Sequence, residues 1–318
     1  MVSGAAAVGG LLGRCPAMER LKQDVAMFGA SDVRVHVFGE TGTGKEMVAK
    51  ALHEASPRAR RPLVPVNVAG FSDELLVAEL FGHVRGAFTG AVAARDGYVT
   101  KAEGGTLFID EVGDMSSLAQ VRLLRFLEDG EYQRLGETVA RRADVRVVTA
   151  TNVDLEQRVR AGRFRQDLWF RLKVERLNLP PLRERGDDVL LLARHFLGRQ
   201  AAERQGAPPG LSREAEAALL GHSWPGNVRE LQNEMRCAAV RAVGRPVEVD
   251  DLSPELQARP GRRPGTLREA VRQFETGFIL EALERHHGNV ARTAAELGVT
   301  RQALWGKTRR LGLVAESA

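Results

Sequence analysis

Gly39, Glu40, Thr41, Gly42, Thr43, Gly44, Lys45 and Glu46 set three glycines and a lysine in the GxxxxGK spacing. Such glycines let successive backbone N–H groups curl around an anion, and the lysine reaches the outer phosphates of a nucleotide. Farther along, Asp110 and Glu111 stand side by side after the apolar run Thr106 to Ile109. Adjacent acids can do different work. Asp110 can organise magnesium through water, and Glu111 can polarise the water that attacks a terminal phosphate. Alone, the pair would equally suit a solvated loop; behind a phosphate-binding run it points to hydrolysis. A Ser or Thr usually follows the lysine, and here it is Glu46, so the hydroxyl offered to magnesium falls to Thr43 or to water.

The flanking patterns place these groups. Val33 to Phe38 alternates as a strand does, and Met47, Val48, Ala51 and Leu52 recur at helical spacing before Pro57. A strand, the glycine-rich turn and a helix are the context that phosphate binding requires. Further strands read from Arg61 to Asn67, Gly104 to Glu111 and Asp144 to Asn152, with a Leu- and Arg-rich helix from Gln120 to Leu127. Strands that alternate with helices and drop polar residues at their C-terminal ends specify an α/β fold: a parallel sheet with its ligand along that edge. Leu179 to Asp188 breaks the pattern and opens a helical region running to about residue 245. Within it Pro225 and Gly226 make a turn, Asn227 reads as an N-cap, and Arg229 in the first helical turn can reach back to the nucleotide.

With 318 residues, 43% of them hydrophobic, the chain fills a substantial core in two or three domains. The net charge of +5 is uneven, since residues 255–318 hold 11 Lys and Arg against 7 Asp and Glu, so an anionic partner is expected at the C-terminal end. No run of 18 apolar residues appears, and the first ten residues lack a basic, then apolar export signal, which predicts a soluble cytoplasmic protein without a membrane partner. Cys15 and Cys237 lie far apart in sequence without metal-ligand spacing and read as buried thiols rather than a disulfide. Past a Pro-, Gly- and Arg-rich linker, Phe274, Phe278, Ile279, Ala282 and Leu283 mark a helix. Two short helices joined at Gly298 and Val299 follow, with helix-turn-helix geometry. Arg301 and Gln302, just after the Thr300 cap, suit base edges; Lys307, Arg309 and Arg310 suit phosphates. A helical oligomerisation module with a basic face is the other reading.

Gly86, Ala87, Phe88, Thr89, Gly90 and Ala91 form a glycine-punctuated loop with one aromatic and one hydroxyl, suited to a mobile contact tip. This hexapeptide resembles, letter for letter, the sigma-54-contacting loop of bacterial enhancer-binding proteins, a branch of the AAA+ ATPases. The resemblance extends over roughly residues 11–245 as the ATPase and 267–314 as a Fis-type DNA-binding domain. It implies ATP and Mg2+ as cofactors, with Thr151 and Asn152 sensing the γ-phosphate and Arg229 sensing from the lid. Asn67 holds Glu111 inactive until the nucleotide state changes, or else simply caps a turn. Arg165 and Arg171 become arginine fingers supplied to a neighbouring subunit, and Gly130 to Gly136 a second pore-side loop. The implied partners are the sigma-54 RNA polymerase holoenzyme, upstream activator DNA, and further copies of the chain, a hexamer when active and a dimer when inactive.

On this reading the domains are an AAA+ α/β subdomain at 1–178, a helical lid at 179–250, a linker at 251–266 and the helix-turn-helix domain at 267–318. Gly306 and Thr308 depart from the bulkier residues usual in the Fis-type helix, and a mid-helix glycine costs about 1 kcal/mol relative to alanine. The ATPase pattern begins by about Leu11, so the signal comes from a regulatory protein acting in trans or from protein level, or the sequence is a piece of a longer chain. Two rival functions share much of the pattern: a regulator of ordinary polymerase whose ATP site controls only oligomerisation, and a DNA-remodelling ATPase of the replication type. The loop at 86–91 and both finger arginines disfavour them.

Overall fold

The computed structural model describes residues 8–204, 206–257, 279, 282, 286 and 290–311. Contacts divide the chain into two units, residues 1–257 and 258–318. In the first, α1 (Pro16–Gly29) and β1 (Val35–Phe38) lead through the glycine-rich turn into α2 (Lys45–Glu54), β2 (Leu63–Asn67), α3 (Asp73–Phe81) and the short α4 (Tyr98–Lys101). Then come β3 (Thr106–Asp110), α5 (Ser117–Asp129), the small hairpin β4 (Glu131–Tyr132) and β5 (Arg141–Arg142), β6 (Arg146–Thr151), α6 (Leu155–Arg160), α7 (Gln166–Leu172) and β7 (Glu175–Asn178). Five strands form one sheet in the order β2-β3-β6-β1-β7, every neighbouring pair parallel.

A parallel sheet covered on both faces must be apolar on both, and β6, its central strand, is buried at every residue. The two-residue period then sorts the side chains. Leu107, Ile109 and Val147 enter one core with α3, α5 and α7, whereas Phe108, Val148 and Ala150 enter the other with α1 and α2. Because the strands run the same way, their polar ends meet at one edge: Asn67 pairs in register with Asp110, and Phe38, before the glycine-rich turn, with Thr151. The edge strand β7 was not expected from the pattern; its Glu175, Arg176 and Asn178 surround a single buried Leu177.

Three helices, α8 (Asp188–Glu203), α9 (Arg213–Gly221) and α10 (Asn227–Arg241), build a separate core around the fully buried Trp224, whose indole N–H donates to Leu219 O at 2.9 Å. Cys237 on α10, expected to be buried, is exposed. In the second unit, helices Val290–Glu296 and Arg301–Leu311 are joined by a turn at Gly298, where φ is +65°. Thr300 Oγ1 accepts from Ala303 N–H at 3.2 Å, the expected cap, and Leu304 is buried with Ile279 and Ala294. The second helix runs unbroken through Gly306. Residues 251–257, expected to open the linker, instead pack into the lid core through Leu252 and Leu256; the expected linker from 258 on, and the helix before Val290 apart from Ile279 and Ala282, lie outside the described residues.

Opposite the polar edge, Arg146 is buried beneath the C-terminal ends of α1 and α2. Its guanidinium donates to the carbonyls of Phe28 (2.8 Å), Gly29, Val33 and Leu52 (3.3 Å each), at the ends of helices and a strand. Replacing Arg146 by Ala removes a buried bond from each of these carbonyls, of which Phe28 O keeps Ser31, and we expect a loss of about 2–4 kcal/mol, read as a lower denaturant midpoint; an unchanged midpoint would remove this role. Within the sheet, His36 on β1 shares a 2.9 Å hydrogen bond with Thr149 and stands edge-on to Trp169. Burial, with a smaller contribution from Arg176, lowers its pKa to about 4 from the usual 6.5. The unfolded chain therefore takes up this proton first. Stability present above pH 6.5 is lost as pH falls through the window from 6.5 to about 4, by about 3 kcal/mol. His36→Asn should flatten that part of the pH–stability curve, and an identical slope in the variant would assign the acid sensitivity elsewhere.

Candidate nucleotide-binding site

A cavity of about 640 Å³ opens where the sheet edge meets α8 and α10. It brings together Thr41 to Glu46, Asn67, Asp110, Glu111, Asn152 and Arg229 from the sequence-predicted set. The size lies within the usual range for a small-molecule site. Gly42 and Gly44 have φ of +80° and +105°, which side chains rarely adopt. A Cβ on Gly44 would meet nothing within 4 Å, so the turn leaves open space beside its backbone; one on Gly42 would fall 2.3 Å from Gly226 O.

Lys45 is buried, its Nζ 3.1 Å from Gly39 O and 3.6 Å from Glu111 Oε1. Glu111 sits in the left-handed region at φ +55°, and its other carboxylate oxygen accepts from Asn152 N–H at 3.3 Å. Asp110 accepts from Glu111 N–H at 3.0 Å. Asn152 also donates from its amide to Thr41 Oγ1 at 2.8 Å, which ties the tip of β6 to the glycine-rich turn. Thr151 lies behind this edge, fully buried, its hydroxyl accepting from Val153 N–H.

The two readings of Asn67 separate here. Its side-chain oxygen accepts from Ala69 N–H at 2.9 Å, a local turn, while Glu111 is held by Lys45 and Asn152; no Asn67–Glu111 bond forms. Thr43 Oγ1 donates to Glu40 O at 2.7 Å and is buried, whereas Glu46 is exposed at the cavity rim. No cluster of three or more metal-ligating side chains occurs among the described residues. Magnesium held by one carboxylate, water and nucleotide phosphates needs no such cluster, and the donor set fits that mode through Asp110.

Glu40 was expected at the phosphates and instead faces the lid. Its carboxylate receives Arg183 in two bonds of 2.6 and 2.9 Å and the Asn227 amide at 3.1 Å, contacts that hold its pKa below the usual carboxylate range. Asn227 is not the N-cap of α10. It is the first helical residue, fully buried at φ +53°, accepting from Leu182 N–H at 2.8 Å and donating also to Thr41 O at 3.1 Å. Arg229 N–H donates to Gly42 O at 3.2 Å, which places its side chain at the cavity. Arg185, buried between Pro180 O (2.8 Å) and Thr43 O (3.0 Å), adds another clasp. A Pro- and charge-rich segment leading into the first lid helix is the signal that could have found Arg183 and Arg185. Leu11, Leu12, Met18, Leu179, Leu192 and Phe196 give the same cavity an apolar part of its lining.

Arg165 and Arg171 lie outside this cavity, exposed on and before α7. Arg165 pairs with Asp167 at 2.7 and 3.0 Å, and Arg171 approaches Leu127 O at 3.4 Å.

The segment after α3 also departs from expectation. Gly86 N–H donates to Ala91 O at 2.8 Å, closing the tip, and Phe88 is half-buried against the His83 ring at 5.1 Å rather than projecting. Thr89 is exposed, and Val92, at 81%, is the more open apolar residue. Four backbone bonds hold the stem: His83 with Arg95 in both directions, Val84 N–H to Leu135 O, and Leu135 N–H to Gly82 O. The second loop therefore packs on the first. Arg301, Gln302 and Lys307 lie on the last helix; the side chains of Arg309 and Arg310 lie outside the described residues.

Comparison with known proteins agrees with this geometry. The Sigma-54 interaction domain family matches residues 11–178, an AAA+ ATPase lid domain 183–267, and the Fis family of bacterial regulatory proteins 270–311. The transcriptional regulatory protein ZraR of Salmonella typhimurium is 44% identical over 97% of this chain and 70% of that protein. The anaerobic nitric oxide reductase transcription regulator NorR of Escherichia coli is 46% identical over 95% of this chain and 63% of its own length. The crystal structure of NtrX from Brucella abortus in complex with ATP superposes with a TM-score of 0.75 at 34% identity, covering 95% of this chain and 69% of that one. The chain belongs to the sigma-54-dependent transcriptional activators, as an AAA+ ATPase followed by a Fis-type helix-turn-helix domain.

Proposed function

We propose that the chain binds upstream DNA through its C-terminal helices, assembles into a ring, and uses ATP hydrolysis to remodel the sigma-54 RNA polymerase holoenzyme from a closed to an open promoter complex. The ring is a hexamer when active, with a dimer as the inactive form, and works in the cytoplasm; a regulatory protein acting in trans is a further partner. The working divisions are residues 1–178, 179–257, a linker at 258–266, and 267–318. The observation that supports this best is the loop Gly86 to Ala91, braced at its stem on Arg95 and Leu135 within the same unit that holds Lys45, Asp110 and Glu111.

Lys45 binds the outer phosphates, exchanging its contact with Glu111 for them, and Glu111 is then freed to orient the attacking water. Asn67 is close enough in the sheet register to become the partner of Glu111 in another nucleotide state. Asp110 would hold a magnesium ion through water, and that ion would supply neutralising charge for the nucleotide phosphates. Thr151 and Asn152 sense the γ-phosphate from β6, and Arg229 senses it from the lid. Arg165 and Arg171, turned away from their own cavity, complete the site of a neighbouring copy, and contacts of this head-to-tail kind close into rings. Glu111 changing partners then shifts the insertion at residues 83–95, and Gly86, Ala87, Phe88, Thr89, Gly90 and Ala91 meet sigma-54.

Thr89→Ala should leave ATP and DNA binding intact and abolish open-complex formation on a sigma-54 promoter. Normal opening would dismiss the loop assignment, and activation with holoenzyme lacking sigma-54 would favour the rival regulator. ATP turnover per chain should climb as the protein is concentrated. Arg165→Ala should lower that turnover by about 10³-fold with nucleotide affinity nearly unchanged; turnover independent of concentration would dismiss the shared site.

A further inference from the structure

Of the three tryptophans, Trp169 and Trp224 are buried, while Trp305 on helix Arg301–Leu311 is 54% exposed. Counting about 100° per residue from the buried pair Leu304 and Thr308 places Gln302 and Gly306 on the outermost line of this helix. Arg301 and Trp305 then form one flank, and Ala303 and Lys307 the other. Gly306 bears no side chain, and a Cβ there would meet nothing within 4 Å. The helix carries Arg301, Lys307, Arg309 and Arg310 and no acid, so a polyanion is the occupant its charge fits.

Resting on the DNA-binding reading above, we propose that Trp305 is a specificity-determining contact that reads the 5-methyl group of a thymine in the major groove. The bare backbone at Gly306 lets the helix axis approach the base edges closely. At that depth the flanks reach the margins of the groove floor, where the thymine methyl, beside the backbone of its own strand, is the apolar feature that a base pair displays. An indole one turn beyond Arg301 covers such a methyl without needing a hydrogen bond. This contact differs from those of Lys307 and Arg301 because it releases no counterions, so its contribution does not fade with salt.

The test uses the full chain and duplexes that the wild-type protein enriches from a random pool. Trp305→Ala should bind the enriched duplex about tenfold more weakly, with the slope of log affinity against log salt unchanged. Replacing single thymines by uracil, which lacks the methyl group, should cost the wild type about fivefold at one position per half-site and cost Trp305→Ala nothing more there. Trp305→Phe, which keeps an apolar ring, should retain the uracil sensitivity, and matched thermal unfolding of the variants separates lost contact from lost fold. On adding duplex, acrylamide should quench the exposed tryptophan less. Equal uracil penalties in wild type and Trp305→Ala, or unchanged affinity of that variant, would overturn the assignment of Trp305 alone. If the wild-type chain enriches no duplex, the DNA-binding reading falls and this inference with it.

Discussion

The site depends on one hydrogen-bonded knot in which a residue of the lid is held inside the glycine-rich turn of the sheet domain. Asn227 adopts a left-handed backbone that costs an ordinary residue about 1–2 kcal/mol. It stays there because its amide is fully used, by Leu182 on one side and by Glu40 and Thr41 on the other. Strain kept in place by such over-determination belongs to functional sites. Arg183 doubles the link through Glu40, and Arg185 repeats it through Thr43. The lid side of the cavity is thereby tied to residues 40–43 of the turn.

Charge balance explains the rest of the pocket. Lys45 is buried, and a buried ammonium needs partners, which Gly39 O and Glu111 supply. On the proposed reading, an incoming phosphate offers more negative charge at the same place, so ligand and carboxylate would compete for one cation. That competition would link occupancy of the pocket to the freedom of Glu111, which also holds Asn152 at the tip of β6.

Much of this was legible in the residues. The GxxxxGK spacing, the acids closing β3 and the polar end of β6 encode a parallel sheet with a phosphate edge because strand period and turn chemistry are local. What stayed hidden was long-range or self-contradictory locally. Asn227 reads as a cap because Asn after Pro225 and Gly226 usually is one, and only a partner 187 positions away in Glu40 makes it something else. Phe88 reads as a projecting tip until His83 is folded beneath it. β7 escapes because Leu177 alone alternates with nothing, its strand identity coming from pairing with β1. Arg146 looks like a polar strand residue, and its role appears only when two helix ends converge on it.

The stem of the loop at 83–95 has a mechanical meaning. A flexible glycine-rich tether resists tension alone and buckles under compression, so it can drag a target but never shove one. Here the stem is laced on one side to its own return strand and on the other to Leu135, which lies beyond α5. Bracing from both sides makes the segment a strut. A strut carries load in either direction along its axis, compression as well as tension.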